Sequence, residues 1–177
     1  LQLGVDLNAP VVLVQGGGLG LGVHAVAERL LACVAGVQVL VLAGRNASER
    51  SSLASLVARY PGRLAVWDWT EQPEVFMRAA DVVVGKPGGL AVAEALACGR
   101  PLLAARSLRG QEGFNQRFLE QHNVGSLVPE DDLLANIDSL LGNPGELARI
   151  QDCAWPLGKR DGASQIVELA LAYAQSG

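Results

Sequence analysis

Short apolar runs alternate with helically patterned stretches along most of the chain. Val11–Gln15 is a β-branched run, followed by glycines and then an apolar-faced helix to about Ala35. Val37–Ala43 reads as the next strand. Ser48–Tyr60 reads as a helix with Leu53, Leu56 and Val57 on one face. The rhythm continues as strand Leu64–Trp67, helix Pro73–Ala80, strand Asp81–Val84, helix Gly88–Cys98, strand Leu102–Ala105 and helix Gly113–His122. Each strand is hydrophobic nearly throughout, whereas a sheet with one wet face would alternate. Such a β-α repeat predicts an α/β, Rossmann-like parallel sheet with helices on both faces. After Val128 the pattern changes. Asp131–Leu141, Glu146–Asp152 and Ala163–Ala174 read as successive helices, separated by Asn143-Pro144-Gly145 and Trp155-Pro156. They predict a helical C-terminal flank on the sheet. No internal repeat or interdomain linker is visible, and 177 residues suit one domain.

Half of the residues are hydrophobic, and mean hydropathy is +0.25. That suits a buried parallel sheet, and also a domain that hides one face against a partner. A net charge of −4 and a pI near 5.2 provide no basic stripe for gripping nucleic acid. Cys33, Cys98 and Cys153 lie far apart, are odd in number and form no C-x-x-C pair. A disulfide framework is not expected, and a reducing compartment is. The uncharged stretch from Leu7 to Ala27 holds five glycines, Pro10, Gln15 and His24, so it is a poor membrane span. The chain begins at Leu1 rather than methionine, as an excised domain would.

In an open parallel sheet, ligands sit beyond the C-terminal ends of the strands, where the strand order reverses. The informative residues therefore follow the strands. After the first comes Gly16-Gly17-Gly18-Leu19-Gly20-Leu21-Gly22, a glycine turn opening a helix. Such a turn brings backbone amides to an anion, or simply permits close helix–strand packing. Gly20, Gly22 and Ala25 fit a relaxed dinucleotide pattern. The acidic residue that an NAD site wants after the second strand is missing, because the chain there reads Ala43-Gly44-Arg45-Asn46. Arg45 would suit a 2′-phosphate, which keeps an NADP-binding module open.

After the fourth strand comes Gly85-Lys86-Pro87-Gly88-Gly89, running straight into a helix. Pro87 is expected to hold Lys86 extended and to fit the helix start. Gly88 and Gly89 leave the first helical amides uncovered for a diphosphate. The dipole contributes roughly 0.3–1 kcal/mol per charge. Hydrogen bonds to a charged group contribute roughly 1.5–3 kcal/mol each, so the amides outweigh the dipole. Lys86 is a third contributor. Glu94 stands about one and a half turns on, among Ala91, Val92, Ala93, Ala95, Leu96 and Ala97. A carboxylate in that company wants partners, and two ribose hydroxyls would serve; a solvent-facing glutamate is the plainer alternative. After the fifth strand, Gln111, Glu112 and Asn115 offer donors and acceptors suited to sugar hydroxyls, or to helix capping.

Other residues carry less. His24 and His122 have no partner at metal-ligand spacing, and His122 with Asn123 and Gly125 reads as a helix end. Glu130-Asp131-Asp132 suits a helix N-terminus without a metal. No H-E-x-x-H, G-x-S-x-G or strand-end Asp-x-Asp occurs. Trp67 and Trp69 flank Asp68, one expected on the core and the other near a base.

Taken in order, these loops resemble the C-terminal, donor-binding domain of glycosyltransferase family 28. The likeness runs from Val11 to Val128, through Gly44-Arg45-Asn46, Trp67-Asp68-Trp69, Lys86-Pro87-Gly88-Gly89…Glu94 and Gly110-Gln111-Glu112…Asn115. That family includes monogalactosyl- and glucosyl-diacylglycerol synthases and the GlcNAc transferase of peptidoglycan synthesis. The Lys-Pro-Gly-Gly and Gly-Gln-Glu forms resemble the glycolipid synthases more closely. The resemblance implies one half of a GT-B fold and an inverting hexosyltransferase that uses a UDP-sugar as substrate, with no cofactor and no catalytic metal. It implies that Gly17, Gly18, Gly88 and Gly89 hold the diphosphate and that Glu94 holds the ribose. The backbone near Trp69 would meet the uracil, and Gln111, Glu112 and Asn115 would read the sugar. An N-terminal domain outside this chain would carry the lipid acceptor site and the general base. The full-length enzyme would work in the cytoplasm, peripherally at the inner face of the membrane. A donor-binding subunit of a two-chain GlcNAc transferase is the alternative.

Overall fold

Runs of β-branched and leucine side chains with no polar break form the middle of a six-stranded sheet. The computed structural model describes residues 3–6, 8–20, 22–104, 112–129 and 131–175. The strands are β1 (Val11–Gln15), β2 (Gln38–Leu42), β3 (Leu64–Trp67), β4 (Val82–Gly85), β5 (Leu102–Ala104) and β6 (Gly125–Leu127). All pairings are parallel, in the order β3-β2-β1-β4-β5-β6. The chain builds outward from β1 to β3 and then crosses to β4 on the other side of β1. That reversal places a crevice at the C-terminal ends of β1 and β4.

Successive strand residues point to opposite faces, and both faces are dry. Val12, Val14, Val39, Val41, Val82 and Val84 lie under α1 (Val23–Cys33), α2 (Ala47–Arg59) and α6 (Leu133–Leu141). Leu13, Leu40, Leu42 and Val83 face α3 (Pro73–Ala79), α4 (Gly89–Ala97) and Leu119 of α5 (Glu112–Gln121). Asn46 caps α2, accepting from the amides of Ser48 and Glu49.

Two features depart from the sequence reading. Strand β6 forms where that reading assigns no element. Gly-Ser-Leu has no apolar run, because this edge strand pairs only with β5. Its glycine is required: a Cβ on Gly125 would stand 2.1 Å from the Leu102 carbonyl oxygen. Pro87 lies just before the N-cap Gly88, next to the helix start read at Gly88. Second, the C-terminal helices divide. Helix α6 buries Leu133 and Ile137, and α7 (Pro144–Ala154) buries Ala154. Helix α8 (Gly162–Gln175) buries nothing, with Ile166, Val167, Leu169, Leu171 and Tyr173 all exposed. It forms as a helix but does not flank the sheet. Ser164, Gln165, Glu168 and Gln175 fall on one side of its axis, and the apolar side opposite them buries no residue.

Because β-propensity rises from glycine to alanine, Gly125→Ala on propensity alone should strengthen β6. The steric conflict predicts the reverse, a loss of about 1–3 kcal/mol as for other overpacked sites. Urea denaturation of the two proteins checks the sign.

Candidate functional site

The crevice is framed by two glycine segments, one after β1 and one after β4. In the first, a short 3-10 turn covers Gly17–Leu19. Gly20 has a φ of 57°, and a Cβ there would stand 1.7 Å from the Ala43 carbonyl oxygen. Gly44 is equally tight against the carbonyls of Gly17 and Gly18, at 2.7 and 2.8 Å. These two glycines let the loop after β1 and the loop after β2 pack backbone to backbone. Gly17 is different: nothing lies within 4 Å of its missing side chain. The glycine loop thus divides between close packing and an open face.

The helix that follows this loop is already supplied with an anion. The Glu49 carboxylate reaches from α2 to accept from the amides of Gly22 at 3.1 Å and His24 at 3.0 Å. A carboxylate there satisfies orphan amides and meets the positive end of the α1 dipole. The expectation that the first-turn amides of α1 are bare is therefore corrected. Glu49 stands three residues after its N-cap, where a glutamate ordinarily turns back on its own helix. That reading is local, whereas the contact observed joins two helices.

Helix α4 presents the opposite case. Its N-cap Gly88 offers no side chain, and the first intrahelical bond runs from the Val92 amide to the Gly88 carbonyl. The amides of Gly89, Leu90 and Ala91 precede that bond. Gly88 has nothing within 4 Å of a would-be Cβ, so the helix end is unobstructed. Asn115 braces the segment from behind, donating through Nδ2 to the Pro87 carbonyl at 2.9 Å.

Two adjoining clefts occupy the crevice. One, of about 420 Å³, is bordered by Gly17, Gly18, Lys86, Gly88 and Gly89. The other, of about 210 Å³, is bordered by Gly17, Gly18, Trp69, Thr70 and Glu94. They share Gln15, the two glycines, Leu90 and Ala91. Trp67 packs edge-on against Phe76, with centroids 4.8 Å apart, while Trp69 is 51% exposed. The Arg45 guanidinium stacks over Trp69 at 4.3 Å from the ring centroid. Arg45 thus meets the second cleft only through Trp69. The ring edge comes within 3.4 Å of where a Gly18 Cβ would lie.

Most of the residues singled out in the sequence meet at this crevice. Asn115 lines neither cleft; one of its two Nδ2 hydrogens goes to the Pro87 carbonyl, leaving its other hydrogen and Oδ1. Gln111 and the Glu112 side chain lie outside the described residues. His24 lines neither cleft, and Asn123, at φ 53°, makes the left-handed turn expected beside His122. Among the described residues no cluster of three His, Cys, Asp or Glu is placed to hold a metal, and no helix is long and apolar enough to cross a membrane. Two residues were missed in sequence, Glu49 and Gln15. The first needed the α1–α2 packing to be seen. The second was signalled by a polar residue ending an otherwise apolar strand.

Partial burial raises the Glu94 carboxyl above its ordinary value of 4.5, and the charge of Glu74 adds to the rise. Between pH 4.5 and the folded value, the folded chain keeps a proton that the unfolded chain has released. Stability therefore falls as pH rises through that window and stays lower above it. Glu94→Gln is expected to raise the melting temperature at pH 7.5 and to leave it unchanged at pH 4. Circular-dichroism melts at both pH values check this, and equal melting at pH 7.5 would refute it.

Comparison with known proteins places this arrangement. No family model matches the chain. A processive diacylglycerol beta-glucosyltransferase of Bacillus pumilus is 29% identical over 170 residues, covering 94% of this chain and 44% of that protein. Monogalactosyldiacylglycerol synthase 3 of Arabidopsis thaliana is 30% identical over 179 residues, covering 94% and 38%. The crystal structure of Acinetobacter baumannii MurG superposes with a TM-score of 0.71 at 18% identity, covering 93% of this chain and 50% of that one. The chain spans less than half the length of these two sequence relatives. It is a homologue of the family-28 type of glycosyltransferase, and its six parallel strands have the Rossmann-like fold of a GT-B domain.

Proposed function

We propose that this chain is the donor-binding domain of an inverting glycosyltransferase that takes a UDP-sugar and passes its hexose to a lipid acceptor. The observation that carries the reading is the contrast between the two helix N-termini at the crevice. Glu49 fills that of α1, while that of α4 faces the cleft with no side-chain cap. A diphosphate seated at α4 would meet its leading amides, the open face of Gly17, the backbone of Gly18, and Lys86. Glu94, in the adjoining cleft, would take the ribose hydroxyls, and the base would lie toward Trp69. Gln111, Glu112 and Asn115 remain our proposal for the sugar contacts.

The chemistry follows from that placement. Transfer builds negative charge on the departing diphosphate. Preorganised donors aimed at that charge stabilise the transition state, each by about 1.5–3 kcal/mol. No cofactor and no catalytic metal enter this scheme. The acceptor hydroxyl must also lose a proton as it attacks the anomeric carbon. We place that base, with the lipid site and the peripheral contact with the cytoplasmic face of the membrane, in an N-terminal domain beyond this chain. A separate partner subunit, as in a two-chain GlcNAc transferase, would complete the site in the same way. A dinucleotide-binding module is disfavoured, because its pyrophosphate would compete with Glu49 for the α1 amides.

Calorimetric titration with UDP, ADP and NADPH, with and without Mg²⁺, tests the reading. UDP is expected to bind without Mg²⁺. Gly89→Asp and Glu94→Ala are each expected to weaken it about tenfold or more, the scale of a lost hydrogen bond to a charged group. Binding of NADPH with no response to UDP would overturn it. Transfer to a lipid acceptor by this chain alone would overturn the placement of the base elsewhere.

A further inference from the structure

Gln15 ends β1 with a carboxamide nitrogen that the fold leaves unanswered. Its Nε2 is shut off from solvent and has no hydrogen-bond partner. Among the described residues the only other side-chain group so placed is Nε of Arg100. That arginine follows the C-terminus of α4, away from the crevice, and donates through Nη2 to the Arg78 carbonyl. Buried donors are almost always paired, so an unpaired one calls for a reason.

The surroundings of Gln15 supply one. In register it stands beside Gly85 on one side and Leu42 on the other. A Cβ on Gly85 would lie 2.9 Å from Cγ of Gln15 and 2.7 Å from its carbonyl oxygen. The side chain therefore lies over the bare backbone of Gly85, on the side where the Lys86–Gly89 segment begins. Gln15 borders both clefts, so it sits at their junction. The larger cleft is bordered by Lys86 and by the start of α4, whose first amides have no intrahelical or side-chain partner among the described residues. What suits that space is an acceptor with many lone pairs. The terminal torsion of a glutamine is soft, so the amide can swing into the cleft without backbone movement.

We propose that Gln15 is a ligand-binding residue, its side-chain amide donating to the phosphate oxygen of a nucleoside diphosphate that bridges the two clefts. The inference rests on the donor-site reading above. It adds a neutral donor from the central strand to the helix-end amides and the lysine. The side chain serves the ligand at the expense of the empty fold.

The test is calorimetry with UDP on the wild-type chain, Gln15→Met and Gln15→Glu, together with their melting temperatures without ligand. Gln15→Met keeps the length and removes the donor. It is expected to weaken UDP about tenfold and to melt at the same temperature as wild type or higher, since an unpaired buried donor is gone. Gln15→Glu keeps the shape, sets a like charge against the phosphate, and is expected to weaken UDP further. An affinity of Gln15→Met within twofold of wild type overturns the inference, as does a Gln15→Glu that binds like wild type. A lowered melting temperature of ligand-free Gln15→Met also overturns it, because the side chain would then be a packing element. A wild-type chain that ignores UDP removes the donor-site reading itself. A wild type that binds while Gln15→Met binds equally well removes only the role of Gln15.

Discussion

Strand β1 is closed to water on both faces and hydrogen-bonded along both edges, and the rest of the domain is arranged around that enclosure. A strand so placed admits a polar side chain only where partners meet it, as they meet Gln38 in β2, and Val11 to Val14 are uniformly apolar. Polar chemistry can begin only where β1 stops. Gln15 and the glycines after it are the first residues free of the constraint. The same holds for β4, whose exit at Gly85 opens directly onto Lys86. Burial of the sheet and the position of the crevice are thus one fact seen at two points of the chain.

The two helices that start beside β1 and β4 have the same electrostatic problem at their N-termini and solve it differently. Helix α1 is met by Glu49, a permanent partner from within the protein. Helix α4 keeps its leading amides toward the cleft. An internal counter-ion makes one end structural and frees the other for an external anion. The asymmetry also explains why a glycine-rich sequence after β1 is a poor guide to its use. Gly20 and Gly44 serve backbone packing, while Gly17 faces the opening.

How much of this was legible in the sequence depends on how local the cause is. Strands β1, β2 and β4 were plain because burial on both faces leaves them apolar but for Gln15 and Gln38 at strand ends. Strand β6 was invisible because an edge strand of Gly-Ser-Leu carries neither a run nor an alternation. The Lys86–Gly89 segment was recognised because its glycines and proline act within a few residues of themselves. Glu49 was not, because its partners are 25 and 27 residues away and its own surroundings offer a sufficient local role. The residues alone left Trp67 and Trp69 undivided between core and base, and only the family resemblance put Trp69 near the base. Phe76 decides it by packing on Trp67.

Helix α8 has a different consequence. An isolated helix of about this length is close to balance with the coil in water, and α8 buries no side chain that would tip the balance. Its backbone amides can therefore exchange with solvent by local fraying, whereas those of β1 and β4 exchange only when the whole sheet opens. The chain then has two cooperative units rather than one, and helical signal is lost on warming before the core gives way.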